Sequence, residues 1–571
     1  MEADHQSQST AANRIFVSLT PALAAAPPLA AGLILRLWLL SRFFAVNGDA
    51  LIYGGMAKNL LLHGRYALTL SSGEIDPTLI RLPGYPLFLA LCFRLFGMEN
   101  YASAACVQIV LELAGCLLLA SFVGRIASAG AARWTLWLAA LCPFTALYAI
   151  EPLTESLSLF VIALALWSAE LFCHHPRWAP ALCFTFAVSF AALLRPDGAL
   201  LGLTLAPALA MCLQRKRSEL LIRPLNTDNW VPHPSRVLCG MGGIAGHYLK
   251  AGSLVAEQAE ENLISVKGTG FSPYISAIKA TGALAPEGSL PPISSETPSL
   301  SPSSKSAPRN SRAPKLARLA VVCLLLALTP FAVWTIRNWR VFHVFEPLAP
   351  RLATDPGEDP HPGWERWMRS WCLDFVSTFD IYWNVPGDRL DINQLPLRAF
   401  DSPAQYNETA ALAADYNRNF VLTHDLDTRF GKLADERAAA HPLRSYLWLP
   451  LGRLADMALR PRVENLYDDL DWWVYAHHPA QTRLCWAFVG LNAIYLILGL
   501  AGLCLRPRFW LPMLAYLLLR SALLLTIAAP EARYTLECFP MLFALGGVAR
   551  YRLTNCVLLS VFKVKASAGR G

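Results

Sequence analysis

The sequence predicts an all-α polytopic membrane protein, a bundle of about ten to thirteen transmembrane helices whose extracytoplasmic loops carry the functional groups. Three observations predict it. Over 571 residues the chain is 54% hydrophobic and only 16% charged, outside the usual range of a soluble globular protein. Apolar runs recur at the length a membrane span requires. Lys and Arg gather in the short segments between those runs, as they do in cytoplasmic loops.

The runs fall near 19–42, 102–123, 133–150, 156–173, 180–194, 197–213, 317–336, 484–505, 509–529 and 533–549. The fifth and sixth are short and meet at Arg195-Pro-Asp-Gly, an interruption tolerated at membrane depth only where protein or a wet cavity satisfies the backbone. Arg125, Arg133, Arg177, the basic run Arg215-Lys216-Arg217, then Arg312, Lys315 and Arg318, and finally Arg506, Arg508, Arg550 and Arg552 all fall on one side if the N-terminus is cytoplasmic. The opposite side then collects 43–101, 151–155, the 195–197 break, 337–481 and 530–533, and an active site is expected there.

A net charge of +8 does not point to nucleic acid, because the basic residues flank apolar runs and form no single basic face. Of the fourteen cysteines, Cys106, Cys116, Cys142, Cys183, Cys323 and Cys504 lie inside apolar runs and read as core or lipid-facing thiols. No CxxC pair or Cys/His cluster has zinc spacing. The apolar stretch from Ile15 is too long for a cleavable signal.

The expected organisation is an N-terminal transmembrane core over 1–213 with a first outer loop at 43–101, a cytoplasmic insertion over 214–315, a span at 316–339, an extracytoplasmic region over 340–481 and C-terminal spans over 482–571. The insertion contains SLPPISSETPSLSPSSKSAPRNSRAP, too poor in apolar residues to offset ordering entropy, so disorder is expected. Within 340–481 the segment HPLRSYLWLPLGRLADMAL suits the membrane interface.

The first outer loop reads NGDALIYGGMAKNLLLHGRYALTLSSGEIDPTLIRLPGYPLF. A carboxylate just beyond a membrane helix, Asp49, can take a proton from an attacking hydroxyl, and an arginine such as Arg81 can grip a phosphate through paired charge-assisted hydrogen bonds. Alone, each signal is weak: a loop Asp is more often a helix cap, and a Pro-Gly turn often only redirects the chain. Two readings of Arg36 stand, an intramembrane functional group and a side chain that snorkels to the interface. Trp364, Trp367, Trp371, Trp472 and Trp473 suit sugar stacking or the bilayer interface, and the interface is favoured. His477 and His478 have no recognisable ligand partners.

Asp49, Tyr53 and Ala57, followed by H-G-R-Y and RLPGYPLF, resemble the first loop of the GT-C glycosyltransferases, the group containing protein O-mannosyltransferases and the aminoarabinose lipid A transferase. PLTESLSLF from Pro152, LLRPDG from Leu193, PFAVWTIRNW from Pro330 and PEARYTLECFP from Pro530 resemble that family's segments in order, over about two-thirds of the chain. The resemblance implies a GT-C-like bundle and an inverting transfer of a sugar from a polyprenyl-phosphate donor. It implies Asp49 as catalytic base, Glu155 as a second catalytic acidic group, and Arg81 and Arg533 on the donor phosphate, with Arg195 and Arg337 as further candidates. Tyr53, Tyr85 and Glu151 would position the acceptor or the loop.

Metal dependence varies among such enzymes, and a divalent ion, if bound, is expected on Glu74, Asp76 and Glu155; no other cofactor is implied. The aminoarabinose relatives have a Lys-Pro-Pro type turn where this chain has Arg81-Leu-Pro-Gly-Tyr-Pro, so acceptor identity does not carry over, and a glycan, a lipid or a protein remains open. The implied setting is a bacterial inner membrane with the site facing the periplasm. The rival function is a lipid or glycolipid flippase, which would be expected to show internal repeats and mid-membrane charges.

Overall fold

The computed structural model describes residues 24–46, 48–222, 312–350, 354–464, 466, 473–474 and 478–568. The chain divides into two units, Met1–Leu220 with Ser311–Gly571, and Leu221–Asn310. Beyond Ile222 the second unit lies outside the described residues, and so do the expected disorder over most of 214–315, Trp472 and His477.

The all-α expectation is borne out. Among the described residues, six helices are long and apolar enough to cross a membrane: Ala24–Phe43, Tyr101–Ile126, Glu155–His174, Pro196–Gln214, Arg318–Phe342 and Pro479–Cys504. Gly84–Phe96, Trp178–Leu194 and Trp510–Leu524 are apolar but shorter. The chain is a multi-pass membrane protein.

In chain order the elements are α1 (Ala24–Phe43), α2 (Asp49–His63), the strands β1 (Ala67–Thr69) and β2 (Ile75–Pro77), α3 (Gly84–Phe96), α4 (Tyr101–Ile126), α5 (Ala129–Ala140), α6 (Pro143–Ala149), α7 (Glu155–His174), α8 (Trp178–Leu194) and α9 (Ala199–Ile222). After the gap come α10 (Arg312–Phe342), α11 (Pro362–Arg369), α12 (Pro403–Tyr416), α13 (His424–Ala440), α14 (Leu449–Leu459), α15 (Pro479–Cys504), α16 (Trp510–Leu524) and α17 (Phe539–Ala568). β1 and β2 form a short antiparallel hairpin with Leu68 opposite Asp76.

Local chemistry sets several boundaries. The Asn100 carboxamide accepts from Ser103 N–H at 3.1 Å and starts α4; Ser128 does the same for α5 through Ala131 N–H at 3.2 Å. The run expected at 133–150 divides into α5 and α6 because Pro143 lacks an N–H and disfavours helix in the residue before it. Arg36 satisfies part of that break. Its Nη1 donates to Ala140 O at 2.7 Å and Gly32 O at 2.9 Å, and its Nη2 lies 2.6 Å from Glu112 Oε2 with both side chains buried. Arg36 therefore does not snorkel: it is a paired charge holding the end of an interrupted helix.

In the membrane core α4 packs against α5 and α7, α7 against α8, and α17 against α5 and α15. The 20-residue α7 is about 30 Å long at 1.5 Å per residue, so its ends mark two faces of the bundle. Glu155 opens it. At its other end Glu170 meets Arg125 at 3.6 Å and His174 at 2.9 Å, and His174 also contacts Arg508. Two arginines expected in cytoplasmic loops thus meet at the end opposite Glu155.

The 340–481 region builds a core of its own. Trp364, Trp367, Trp371, Phe430, Leu433 and Tyr416 are buried together, so the first three tryptophans stand neither at a bilayer interface nor against a sugar. The helix that carries Trp364 and Trp367, α11, starts where the Asp427 carboxylate accepts from Gly363 N–H at 3.0 Å and Trp364 N–H at 2.8 Å. By contrast Leu443, Tyr446 and Trp448, just before α14, are exposed, as the interfacial reading requires. Among the described residues four hydrogen bonds tie this cap to the segment before α17. Thr378 Oγ1 donates to Pro530 O at 3.2 Å, Arg369 donates to Thr526 O, Arg462 Nη2 donates to Thr535 Oγ1 at 2.6 Å, and Thr535 Oγ1 donates to Met457 O at 3.2 Å.

Candidate active site

Two helix N-termini supply the site's central carboxylates. Asp49 lies in the first turn of α2 and Glu155 in the first turn of α7, where the helix dipole favours negative charge. Two close backbone approaches bring the arginines to them. A Cβ on Gly84, at the start of α3, would lie 2.6 Å from Leu193 O, so α3 and the preceding turn seat directly on the end of α8. Gly198 performs the same service beyond α8. A Cβ there would lie 2.2 Å from Ala191 O, and the missing side chain lets Pro196–Gly198 form a single 3-10 turn that folds α9 back along α8.

Asp49 is gripped from two directions. Its Oδ1 accepts from Arg81 Nη2 at 2.9 Å and its Oδ2 from Arg533 Nη2 at 2.8 Å. Arg81 comes from the turn before α3, held by Tyr66 Oη donating to the Arg81 carbonyl at 3.0 Å; Arg533 comes from the 3-10 segment Ala532–Cys538. Side-chain exposures of 21% for Asp49, 27% for Arg81 and 17% for Arg533 leave all three open to a ligand. Burial alone would raise the Asp49 carboxyl, but Arg533 and then Arg81 outweigh it and hold it at about 2.

Behind this open layer lies a closed one. Glu155, 1% exposed, accepts from Arg195 Nη1 at 3.2 Å and lies 3.9 Å from Arg533 Nε. Arg195 Nε is also 3.5 Å from Asp197 Oδ1 and 3.4 Å from Glu537 Oε1, and its guanidinium lies 5.1 Å from the centroid of the Tyr534 ring. Arg520 of α16, fully buried, contacts Asp197, lies 2.8 Å from Glu537 Oε2 and donates to Tyr534 O at 2.8 Å. Glu531 Oε2 is 2.5 Å from Arg533 Nε, and its Oε1 accepts from Tyr534 Oη. Four guanidiniums (Arg81, Arg195, Arg520, Arg533) thus meet five carboxylates (Asp49, Glu155, Asp197, Glu531, Glu537).

The structure brings together Asp49, Arg81, Glu155, Arg195 and Arg533, which lie up to 484 residues apart in the chain. Arg337 stands apart. Its Nη2 donates to Tyr66 O at 2.7 Å, and it lies over the rings of Tyr66, Trp334 and Phe342 at 5.2–5.4 Å, so it fastens the end of α10 to the hairpin. Tyr53 packs edge-on against Tyr85 at 5.0 Å. Tyr85 Oη donates to Gln108 Oε1, and Gln108 Nε2 donates to Glu151 O at 2.6 Å. These residues shape the loop before α7. Burial, with Glu155 nearby and Arg533 opposing, pushes the Glu151 carboxyl up to about 8.

Glu74 and Asp76 are exposed on the hairpin, away from buried Glu155. Among the described residues no group of three His, Cys, Asp or Glu side chains is placed to share a metal ion, so the expected metal set is not assembled. Sequence reasoning missed Arg520, Asp197, Glu531 and Glu537. Arg520 carried a signal, as an arginine inside the apolar run 509–529.

Residues 78–223 match the model of a family described as dolichyl-phosphate-mannose-protein mannosyltransferase. Over that stretch the chain is similar to the GT-C glycosyltransferases. The resemblance of the motifs to this group is borne out there, and the matched stretch holds Arg81, Glu155, Arg195 and Asp197 of the cluster. Two solved structures of ArnT from Cupriavidus metallidurans, each 13% identical, also align. The apo form covers 95% of this chain and 78% of its own, with a TM-score of 0.30; the form bound to undecaprenyl phosphate covers 92% and 77%, with a TM-score of 0.32. No curated protein matches the sequence.

Proposed function

We propose that this protein is an inverting glycosyltransferase that moves a sugar from a polyprenyl-phosphate donor to an acceptor hydroxyl at the outer face of the membrane. One observation supports the reading above the others: Asp49, Arg81 and Arg533, from three distant segments, converge as a partly exposed carboxylate between two guanidiniums at the end of the bundle opposite Arg125 and Arg508.

The chemistry suits those groups. The acceptor oxygen bonds to the anomeric carbon as the bond from that carbon to the phosphate oxygen breaks, and the hydroxyl proton leaves to a base. The leaving group is a phosphate diester becoming a monoester, so charge builds on its oxygens. Arg81 and Arg533, permanently protonated and forked, meet that charge. Asp49 is the carboxylate beside them that takes the proton. Glu155 and Arg195 act through Arg533: buried and mutually paired, they fix where that guanidinium points. Tyr53, Tyr85 and Glu151 shape the acceptor side.

The donor is a polyprenyl-phosphate sugar, hexosyl or pentosyl, and the acceptor a glycan, lipid or protein hydroxyl. The setting is a bacterial inner membrane with the site on its periplasmic face. The test is release of free polyprenyl phosphate from a panel of polyprenyl-phosphate sugars by the purified protein in lipid, with a membrane extract as acceptor. Release that Asp49→Asn abolishes is the expected result. No release from any donor, alongside movement of labelled lipid between leaflets, would transfer the case to a flippase.

A further inference from the structure

The groups of the site most open to a ligand are already one another's partners. Each Asp49 oxygen takes one guanidinium, Arg81 at 2.9 Å and Arg533 at 2.8 Å, which is also how two arginine forks hold two oxygens of a phosphate. The surrounding cluster has no positive charge to spare, since its four guanidiniums face five carboxylates. A phosphoanion cannot simply be added to such a group; a carboxylate has to give way. Four of the five are badly placed to do so. Glu155, Glu537 and Glu531 are buried, and Asp197 is held by buried Arg520. Asp49 alone combines exposure with a position at the very start of a helix, after Gly48 in the left-handed region at φ 49°.

We propose that Asp49 is a built-in competitor: in the resting protein its carboxylate occupies the place of an anionic phosphate between Arg81 and Arg533, and phosphate binding and release of Asp49 are a single exchange. The identity of the phosphate rests on the glycosyltransferase reading; the exchange rests on the geometry. The exchange also times the chemistry. While it is held by two guanidiniums, Asp49 is a weak base. Once a phosphate has taken those partners, Asp49 faces negative charge instead, and its proton affinity rises. The base is therefore armed by the donor.

The test is affinity for undecaprenyl phosphate and for inorganic phosphate, measured on the full chain in nanodiscs for the wild type, Asp49→Asn, Arg81→Gln and the double variant. The two arginines hold the Asp49 carboxyl at about 2 against an ordinary 3.8, so removing the competing charge should tighten phosphate binding about tenfold or more. In the Arg81→Gln background the gain should shrink to roughly threefold or less, because half the contested site is gone. Tightening with both phosphates supports exchange by the headgroup alone; tightening only with the lipid supports exchange in a chain-anchored headgroup.

Unchanged or weaker binding by Asp49→Asn, with normal binding by the wild type, overturns the exchange and leaves the phosphate reading standing. No binding of either phosphate by the wild type and none by Asp49→Asn overturns both. Infrared difference spectra of the wild type on adding phosphate give a check that needs no variant: a shifted carboxylate band supports the exchange, and an unchanged carboxylate region overturns it.

Discussion

Arg520→Met should destabilise the protein through the closed layer of the site while touching no ligand. Arg520 is fully buried, contacts Asp197, lies 2.8 Å from Glu537 and donates to the Tyr534 carbonyl at 2.8 Å. Methionine keeps much of the stem but leaves buried Glu537 and the partly buried Asp197 with only Arg195 between them. Removing one partner of a buried ion pair costs about 3–5 kcal/mol, and the lost bond to the carbonyl adds about 1 kcal/mol. At about 2 °C per kcal/mol, the low end of the range for large domains, the apparent Tm in detergent should fall by roughly 8–12 °C.

Hydrogen exchange should locate the damage at 530–538, because Tyr534 loses its anchor beside Arg533. Adding Asp197→Asn and Glu537→Gln removes the stranded charges and should recover about half of the loss or more. A Tm for Arg520→Met within about 1 °C of wild type would refute the reasoning, since it would mean that these carboxylates do not depend on this guanidinium.

Three further outcomes follow from the geometry. Arg81→Ala should weaken donor binding about tenfold to a hundredfold, as expected for a charge-assisted bond worth about 1.5–3 kcal/mol, whereas Arg337→Gln should leave donor affinity within about threefold and show its effect in thermal stability; equal losses of affinity would put Arg337 on the donor after all. Glu151, pushed up to about 8 from an ordinary 4.5, is protonated in the folded state over a range where the unfolded chain is ionised. Its contribution to stability is therefore full below about pH 4.5 and lost as pH rises through 8, at no more than about 1.4 kcal/mol per pH unit. Unfolding midpoints should show Glu151→Gln matching wild type at pH 4.5 and exceeding it at pH 8. Trp367→Ala should cost about 3–5 kcal/mol by opening the core of the cap, visible as early unfolding of 362–440 by hydrogen exchange.

Much of the fold was legible because lipid imposes simple rules. Span length and loop charge located the apolar helices and placed Asp49 and Arg125 at opposite ends before any contact was known. The boundaries that failed are those decided by packing. The run 133–150 divides at Pro143, and Arg36 and Glu112 pair only because α1, α4 and α5 meet there. Within the site, the residues read from motifs in outer loops, Asp49, Arg81, Glu155, Arg195 and Arg533, do converge. Arg337, a further candidate from a motif of the same family, has its guanidinium already used by the Tyr66 carbonyl and three rings; no feature of a linear motif shows whether a charge is already engaged. The same limit explains Trp364, Trp367 and Trp371, whose composition suits an interface and whose packing makes them a core. Arg520 was overlooked because it sits mid-span, in a region read only for hydropathy.

The bonds joining the cap to the segment that carries Arg533 are chemically lopsided. The cap contributes side chains, Arg369 and Thr378, while the segment answers with main-chain oxygens at Thr526 and Pro530; only at Thr535 does a segment side chain take part, accepting from Arg462 and donating to the Met457 carbonyl. A main-chain oxygen is present whatever residue occupies the position, so the cap recognises the course of this segment more than its identity. Drift in sequence would therefore be tolerated on one side of the contact and not on the other. The segment can change residues at 526 and 530, though not at 535, if its path is kept, while the cap can exchange its loops and outer surface only if Arg369, Thr378 and Arg462 stay where they are.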